Sequence, residues 1–158
     1  VAMPLGFAAG PGRASVPAGK APAFSPLICY EAIFPGKTVL RDDRPGWLLN
    51  VTNDAWFGDT AAPHQHAMLA AIRSTELGVP LLRSGYTGVS FVVEPHGVIH
   101  SETEPFAEVA RIVSVRLGRE PTLYARLGDW FVAVCFLGLV GGWFIGPRLR
   151  RGTTGGSS

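Results

Sequence analysis

Charge is scarce in this chain: of 158 residues only 16% are Asp, Glu, Lys or Arg, and 14 basic against 12 acidic side chains leave a net charge of +2. A field that weak excludes nucleic-acid binding through a broad basic surface. Lysine occurs only as Lys20 and Lys37, and cysteine only as Cys29 and Cys135. Cys135 falls inside an apolar run, so a disulfide to a water-facing partner is excluded and Cys29 needs its own explanation. No basic n-region followed by an apolar h-region opens the chain at Val1, so no signal peptide is read there, and the start reads as internal to a longer protein. No internal repeat is present.

What is abundant is apolar surface, 47% of all residues, and much of it is concentrated. From Trp130 to Pro147 the sequence WFVAVCFLGLVGGWFIGP carries no charge. A helix crossing a bilayer needs about 20 such residues. We therefore expect one transmembrane helix over 127–149, with Tyr124, Trp130 and Trp143 as interfacial aromatics. Arg148, Arg150 and Arg151 beyond it place the C-terminus in the cytoplasm by the positive-inside rule and the preceding domain on the outer face. Residues 150–158, low in complexity, are expected to be disordered.

The rest of the chain reads as alternating strands and helices. Glycine and proline are dense enough over 1–25 to predict loop. Pro26 to Glu31 is a short apolar run in which a strand leads into a loop, Phe34 to Arg41 a short helix, and Trp47 to Val51 a second strand followed by a polar loop through Gly58. Met68, Leu69, Ile72, Leu77 and the interspersed alanines suit an amphipathic helix over 63–77, stopped by Gly78 and Pro80. Leu81 to Arg83 and Val89 to Val93 read as strands, with a turn at Glu94 to Gly97 making a hairpin with Val98 and Ile99. Val109 to Leu117 alternates as a last strand would. Interleaved strands and helices predict an α/β domain over 26–120.

Cys29 ends a short apolar strand and is followed at once by Tyr30 and Glu31. A strand holds a sulfur still, and the next backbone N–H can point at a developing oxyanion. A lone cysteine on a strand is more often core packing than catalytic, so the thiol by itself does not decide its role.

Four further blocks bear on that choice. LICYEAIFP over 27–35, LNVTNDAWFG over 49–58, PHQH over 63–66 and RSTELGVPLLR over 73–83 occur in an order and spacing that resemble the apolipoprotein N-acyltransferase family of the nitrilase-like superfamily. The resemblance covers nearly all of 26–151. It implies the C-terminal part of a nitrilase-type αββα sandwich followed by one transmembrane helix, with a Glu-Lys-Cys catalytic set. Only Cys29 lies on a matching position. The family's Glu and Lys blocks precede it, and neither Lys20 nor Lys37 stands in the right context. The resemblance further implies roles in catalysis for Tyr30 and Glu31, the latter also readable as a structural ion pair. Asn53, Asp54 and Trp56 become either substrate-side residues or plain turn formers. It also implies a phospholipid acyl donor, a diacylglyceryl-modified apolipoprotein acceptor, no cofactor or metal, and residence in the bacterial inner membrane. Gly85 to Gly88, GYTG, departs from the Asn-containing stretch common in the family.

His64 and His66 have no acidic or thiol residues to complete a metal set and read as structural. Arg73 and Glu76, three apart on a helix, read as a structural bridge. Two other functions share these residues: a nitrilase-type amidase that gives the acyl group to water, and a non-catalytic membrane-tethered remnant.

Overall fold

The computed structural model describes residues 15–35, 45–120 and 122–151, with side chains through Trp143 in the last helix. Expectations for 1–14, for the helix beyond Pro35 and for 152–158 lie outside these residues. A six-stranded mixed sheet runs in chain order: β1 Val16–Ala18, β2 Ala21–Ile28, β3 Trp47–Thr52, β4 Leu81–Gly85, β5 Phe91–Val93 and β6 Ile99–His100. β2, β3 and β4 are parallel, and the other neighbours are antiparallel.

The loop expected over the first 25 residues is corrected from residue 16 onward, where β1 and the first half of β2 form a hairpin around Gly19. Proline density misleads there because proline removes a donor while keeping its acceptor. The Pro22 carbonyl accepts the Trp47 indole N–H at 2.9 Å. Beyond Phe24, β2 has a described neighbour on one side only, so Pro26 sits at an edge, where proline is tolerated.

Residues paired across a sheet share a face, so Leu48, Leu81 and Val93 point to the same side as Leu27, Asn50, Arg83 and Phe91. Helix α1, Ala62–Leu77, covers that side. It buries His66, Ala67, Ala70, Ala71 and Ser74, one stripe of mostly small residues that brings the helix close to the strands. Of the large apolar residues of the predicted helix, Leu77 packs against the core, whereas Met68, Leu69 and Ile72 face the other way, Met68 at 56% exposure. Arg73 and Glu76 form the expected bridge at 3.0 Å. Burial pushes the Glu76 carboxyl up, and the Arg73 guanidinium partly offsets it.

α1 stops at Gly78, as the sequence predicts, in the left-handed conformation at φ +65. A Cβ there would lie 1.7 Å from the Glu120 carbonyl oxygen. Gly78→Ala is expected to cost about 1–2 kcal/mol from backbone strain and more from the clash. Urea unfolding of the purified protein with an unchanged midpoint would exclude this packing.

The second face of the sheet carries Pro26, Ile28, Leu49, Val51, Leu82 and Val92 and is incompletely covered, Ile28 being 55% exposed. The strand expected over 109–117 is not formed; the segment is irregular. It runs along this face, enclosing with Leu49, Leu82 and Val92 a cavity of about 370 Å³. An alternating pattern becomes a strand only when it pairs in a ladder, and this segment pairs with none of the described strands. The αββα expectation is therefore met by one sheet and one helical layer among the described residues.

Helix α2, Leu123–Leu127, is capped by the Thr122 hydroxyl, which accepts the Ala125 N–H at 3.0 Å. Gly128 at φ 59 separates it from α3, Trp130–Arg151. α3 overlaps the span expected at 127–149 but begins later, because α2 takes Leu127, and ends later, at Arg151. Among the described residues no helix is long and apolar enough to cross a membrane, so the expected crossing is not found there. Arg150 and Arg151, expected in the tail, belong to α3. Its described apolar side chains lie open, Phe131 at 63% and Leu139 at 76% exposure.

Candidate active site at the carboxyl edge of the parallel strands

Ile28, Val51 and Ser84 lie in register, so the chain leaves β2, β3 and β4 at one edge of the sheet. The crevice outside the carboxyl ends of parallel strands is where open α/β sheets bind ligands. A cleft of about 810 Å³ lies there, lined by Val51, Thr52, Gly85, Tyr86, Thr87 and Phe106 among others. The GYTG stretch thus forms part of its wall.

Cys29 is the first residue past β2 and opens a single 3-10 turn, Cys29–Ile33. It is a free, partly exposed thiol with φ +49. A non-glycine residue in the left-handed region costs about 1–2 kcal/mol and persists only where its surroundings over-determine it. Two contacts do so. The Glu31 carboxylate accepts the Ile28 N–H at 2.8 Å. The Asn50 amide donates to the Leu27 carbonyl at 2.8 Å and to that of Cys29 at 3.4 Å.

The predicted site residues separate into two sets. Tyr30 and Glu31 stay with Cys29: the half-exposed Tyr30 ring stacks on His66 at 5.2 Å, and Glu31 orders the turn by its hydrogen bond. Among the described residues Glu31 forms no ion pair. Asn53 is exposed, and its side chain accepts the Ala55 N–H at 3.0 Å, a turn-forming role. Trp56 projects from the 3-10 turn Ala55–Phe57 at 87% exposure. Asp54 points inward and is fully buried.

Asp54 belongs to a polar cluster beneath the Cys29 turn. Its carboxylate accepts Arg83 Nη2 at 2.7 Å, the Thr52 hydroxyl at 2.9 Å and His66 Nδ1 at 2.9 Å. Arg83 also donates through Nε to the Val89 carbonyl at 3.1 Å and through Nη1 to Asn50 Oδ1. Burial lowers the Arg83 pKa, and the neighbouring Asp54 carboxylate and Cys29 act in the opposite sense. Gly88 makes room for the cluster, since a Cβ there would lie 2.1 Å from Asp54 Oδ2. Sequence reasoning missed Asn50 and Arg83. The available signal was a polar residue at a core-facing position of each of two largely apolar strands, Asn50 in WLLNVT and Arg83 in LLRSG. His66 is structural, as read, whereas His64 is exposed. Among the described residues no His, Cys, Asp and Glu cluster fit for a metal occurs.

Cys29 thus stands at the carboxyl end of the parallel strands of a mixed α/β sheet with its backbone in the left-handed region, and it is not among the residues lining the cleft at that edge. Residues 7–120 match the carbon-nitrogen hydrolase family, and the chain belongs to that family. Its similarity is then to particular members. The apolipoprotein N-acyltransferase of Bradyrhizobium diazoefficiens is 46% identical over 129 residues, 82% of this chain and 24% of that protein. That of Rhodopseudomonas palustris is 43% identical over the same shares. That of Agrobacterium fabrum is 48% identical over 101 residues, 63% of this chain and 19% of its own. The chain thus spans about a quarter, or less, of the length of these curated relatives.

Solved structures share the fold. A carbon-nitrogen hydrolase from Helicobacter pylori G27 aligns with a TM-score of 0.53 at 11% identity, over 62% of this chain and 41% of that one. A variant of the Nesterenkonia AN1 amidase from the nitrilase superfamily aligns at 0.52 and 19% identity, over 82% and 50%. The architecture is a mixed α/β nitrilase-like fold.

Proposed function

We propose that this chain carries the nucleophile of an apolipoprotein N-acyltransferase. The observation that carries the reading is the strained Cys29 turn, within a block 43–48% identical to enzymes of that name. The Cys29 thiolate attacks an acyl ester of a membrane phospholipid. The S–C bond forms, the ester C–O bond breaks, and the lysophospholipid leaves with a proton from the general acid. The α-amine of a diacylglyceryl-cysteine then attacks the thioester, forming the amide, breaking the S–C bond, returning sulfur as thiolate and giving its proton back to the group that served as general acid. The Tyr30 N–H serves the oxyanion, and Glu31 fixes the turn that presents it. The base Glu and the Lys implied by the family resemblance come from blocks preceding this one. No cofactor enters the scheme.

Both substrates are lipid-anchored, which gives the apolar surface of α3 a role. Phe131, Val132, Phe136 and Leu137 lie open to the surroundings, and exposed apolar area costs about 25 cal/mol per Å² in water. We place the charge-free run from Trp130 to Pro147, which continues past the side chains described in α3, in the bacterial inner membrane as a crossing, with its arginine-rich end cytoplasmic and the catalytic domain on the periplasmic face. Surface attachment raises the effective concentration of both lipids at the thiol.

The test uses the complete gene product in phospholipid vesicles with acyl-labelled phospholipid. Mass analysis is expected to find the acyl mass on the Cys29 peptide, then on the amine of an added diacylglyceryl lipopeptide. Labelled free fatty acid without an amide product would identify a hydrolase instead. No acylation of Cys29 at all would leave a non-catalytic protein.

A further inference from the structure

Arg83 and Asp54 form an ion pair in which both side chains are fully buried, in the layer between sheet and helix. Such a pair is on average no more stabilising than apolar residues of the same volume, so its presence in a core calls for another reason. The pair is connected to the nucleophile. Arg83 donates to Asn50 Oδ1, and the same amide's Nδ2 donates to the carbonyls of Leu27 and Cys29, the two that flank Ile28. The intervening Ile28 N–H is held by Glu31. A guanidinium on the amide oxygen fixes which way the amide faces and strengthens its N–H as a donor. Nε of Arg83 is anchored on Val89 and Nη2 on Asp54, so the fork has no freedom to turn.

We propose that Arg83 is a positioning residue which, through Asn50, locks Cys29 in its left-handed conformation and so aims the sulfur. Asp54 in turn fixes Arg83. The inference rests on Cys29 being the nucleophile, and it does not depend on which acyl acceptor is used. Asn50→Asp keeps the volume and the partner for Arg83 but replaces the amide donor facing the two carbonyls. Arg83→Lys keeps the cation but loses the fork.

The experiment measures three quantities on the complete, membrane-reconstituted protein: acyl-transfer kcat and KM, the rate of iodoacetamide alkylation at the Cys29 peptide, and the melting temperature. Asn50→Asp is expected to lower kcat on the order of 10²-fold, the usual cost of a misplaced reacting atom, with KM within about threefold. Cys29 alkylation is expected to change at least about tenfold, since aim and access shift together. Arg83→Lys is expected to retain more activity than Arg83→Met. A drop in melting temperature with kcat and alkylation within twofold of the parent would overturn the proposal, leaving the cluster merely structural. If Asn50→Asp does not fold, Arg83→Lys carries the same decision. Alkylation needs no lipid: if it responds while the parent transfers no acyl group, the acyltransferase reading fails and this one stands.

Discussion

Cys29→Ala in the complete protein is expected to remove acyl transfer to background, a loss on the order of 10⁵- to 10⁶-fold in kcat, as when a nucleophile that works within a concerted set is deleted. In the proposed reaction the Cys29 sulfur makes the covalent bond. Cys135, the second cysteine, lies on α3. Substrate binding is expected to survive, because the cleft wall comes from β3, β4 and the segments after β4. The measurement is a pair of assays: transfer of labelled acyl chain to lipopeptide, and retention of phospholipid by the inactive variant. A variant that still transfers within tenfold of the parent would remove Cys29 from the reaction.

The second large effect is on stability. Asp54→Leu leaves the Arg83 guanidinium buried without its carboxylate, and breaking one half of a buried pair costs about 3–5 kcal/mol. The loss here falls at the high end, since Thr52 and His66 lose the same acceptor. Replacing both members, as Asp54→Leu with Arg83→Met, is expected to recover most of that loss, because no unpaired charge remains and similar volume is filled. Denaturant unfolding of the two variants and the parent measures it. Equal destabilisation in the single and double variants would show that the charges are not the cause. The double variant is nonetheless expected to stay slow, because Asn50 has lost the donor that orients it.

Local pattern carried much of the fold. β3 and β4 are legible as apolar runs between turn residues, and α1 ends at Gly78 because the left-handed cap favours glycine. The turn at Cys29 and the partnership of Tyr30 and Glu31 were legible through the motif block. What was not legible depends on pairing between distant segments. Arg83 meets Asn50 across 33 residues only because β3 and β4 pair in that register. The same dependence explains residues 109–117, whose alternation lacks a partner, and 16–25, whose glycine and prolines conceal a hairpin. The orientation of α1 also escaped, because large side chains point to the interior only when the neighbouring layer leaves room for them. Here the sheet requires alanines.

The left-handed backbone at Cys29 also narrows the paths by which a lineage could exchange its nucleophile. Serine has the same single branch at Cβ and could inherit the place with its hydroxyl aimed as the sulfur is. Threonine could not, because a second heavy atom on Cβ meets the backbone at positive φ. Drift from thiol to alcohol chemistry at this position therefore has one door open, and passing through the other would first require the turn to be rebuilt.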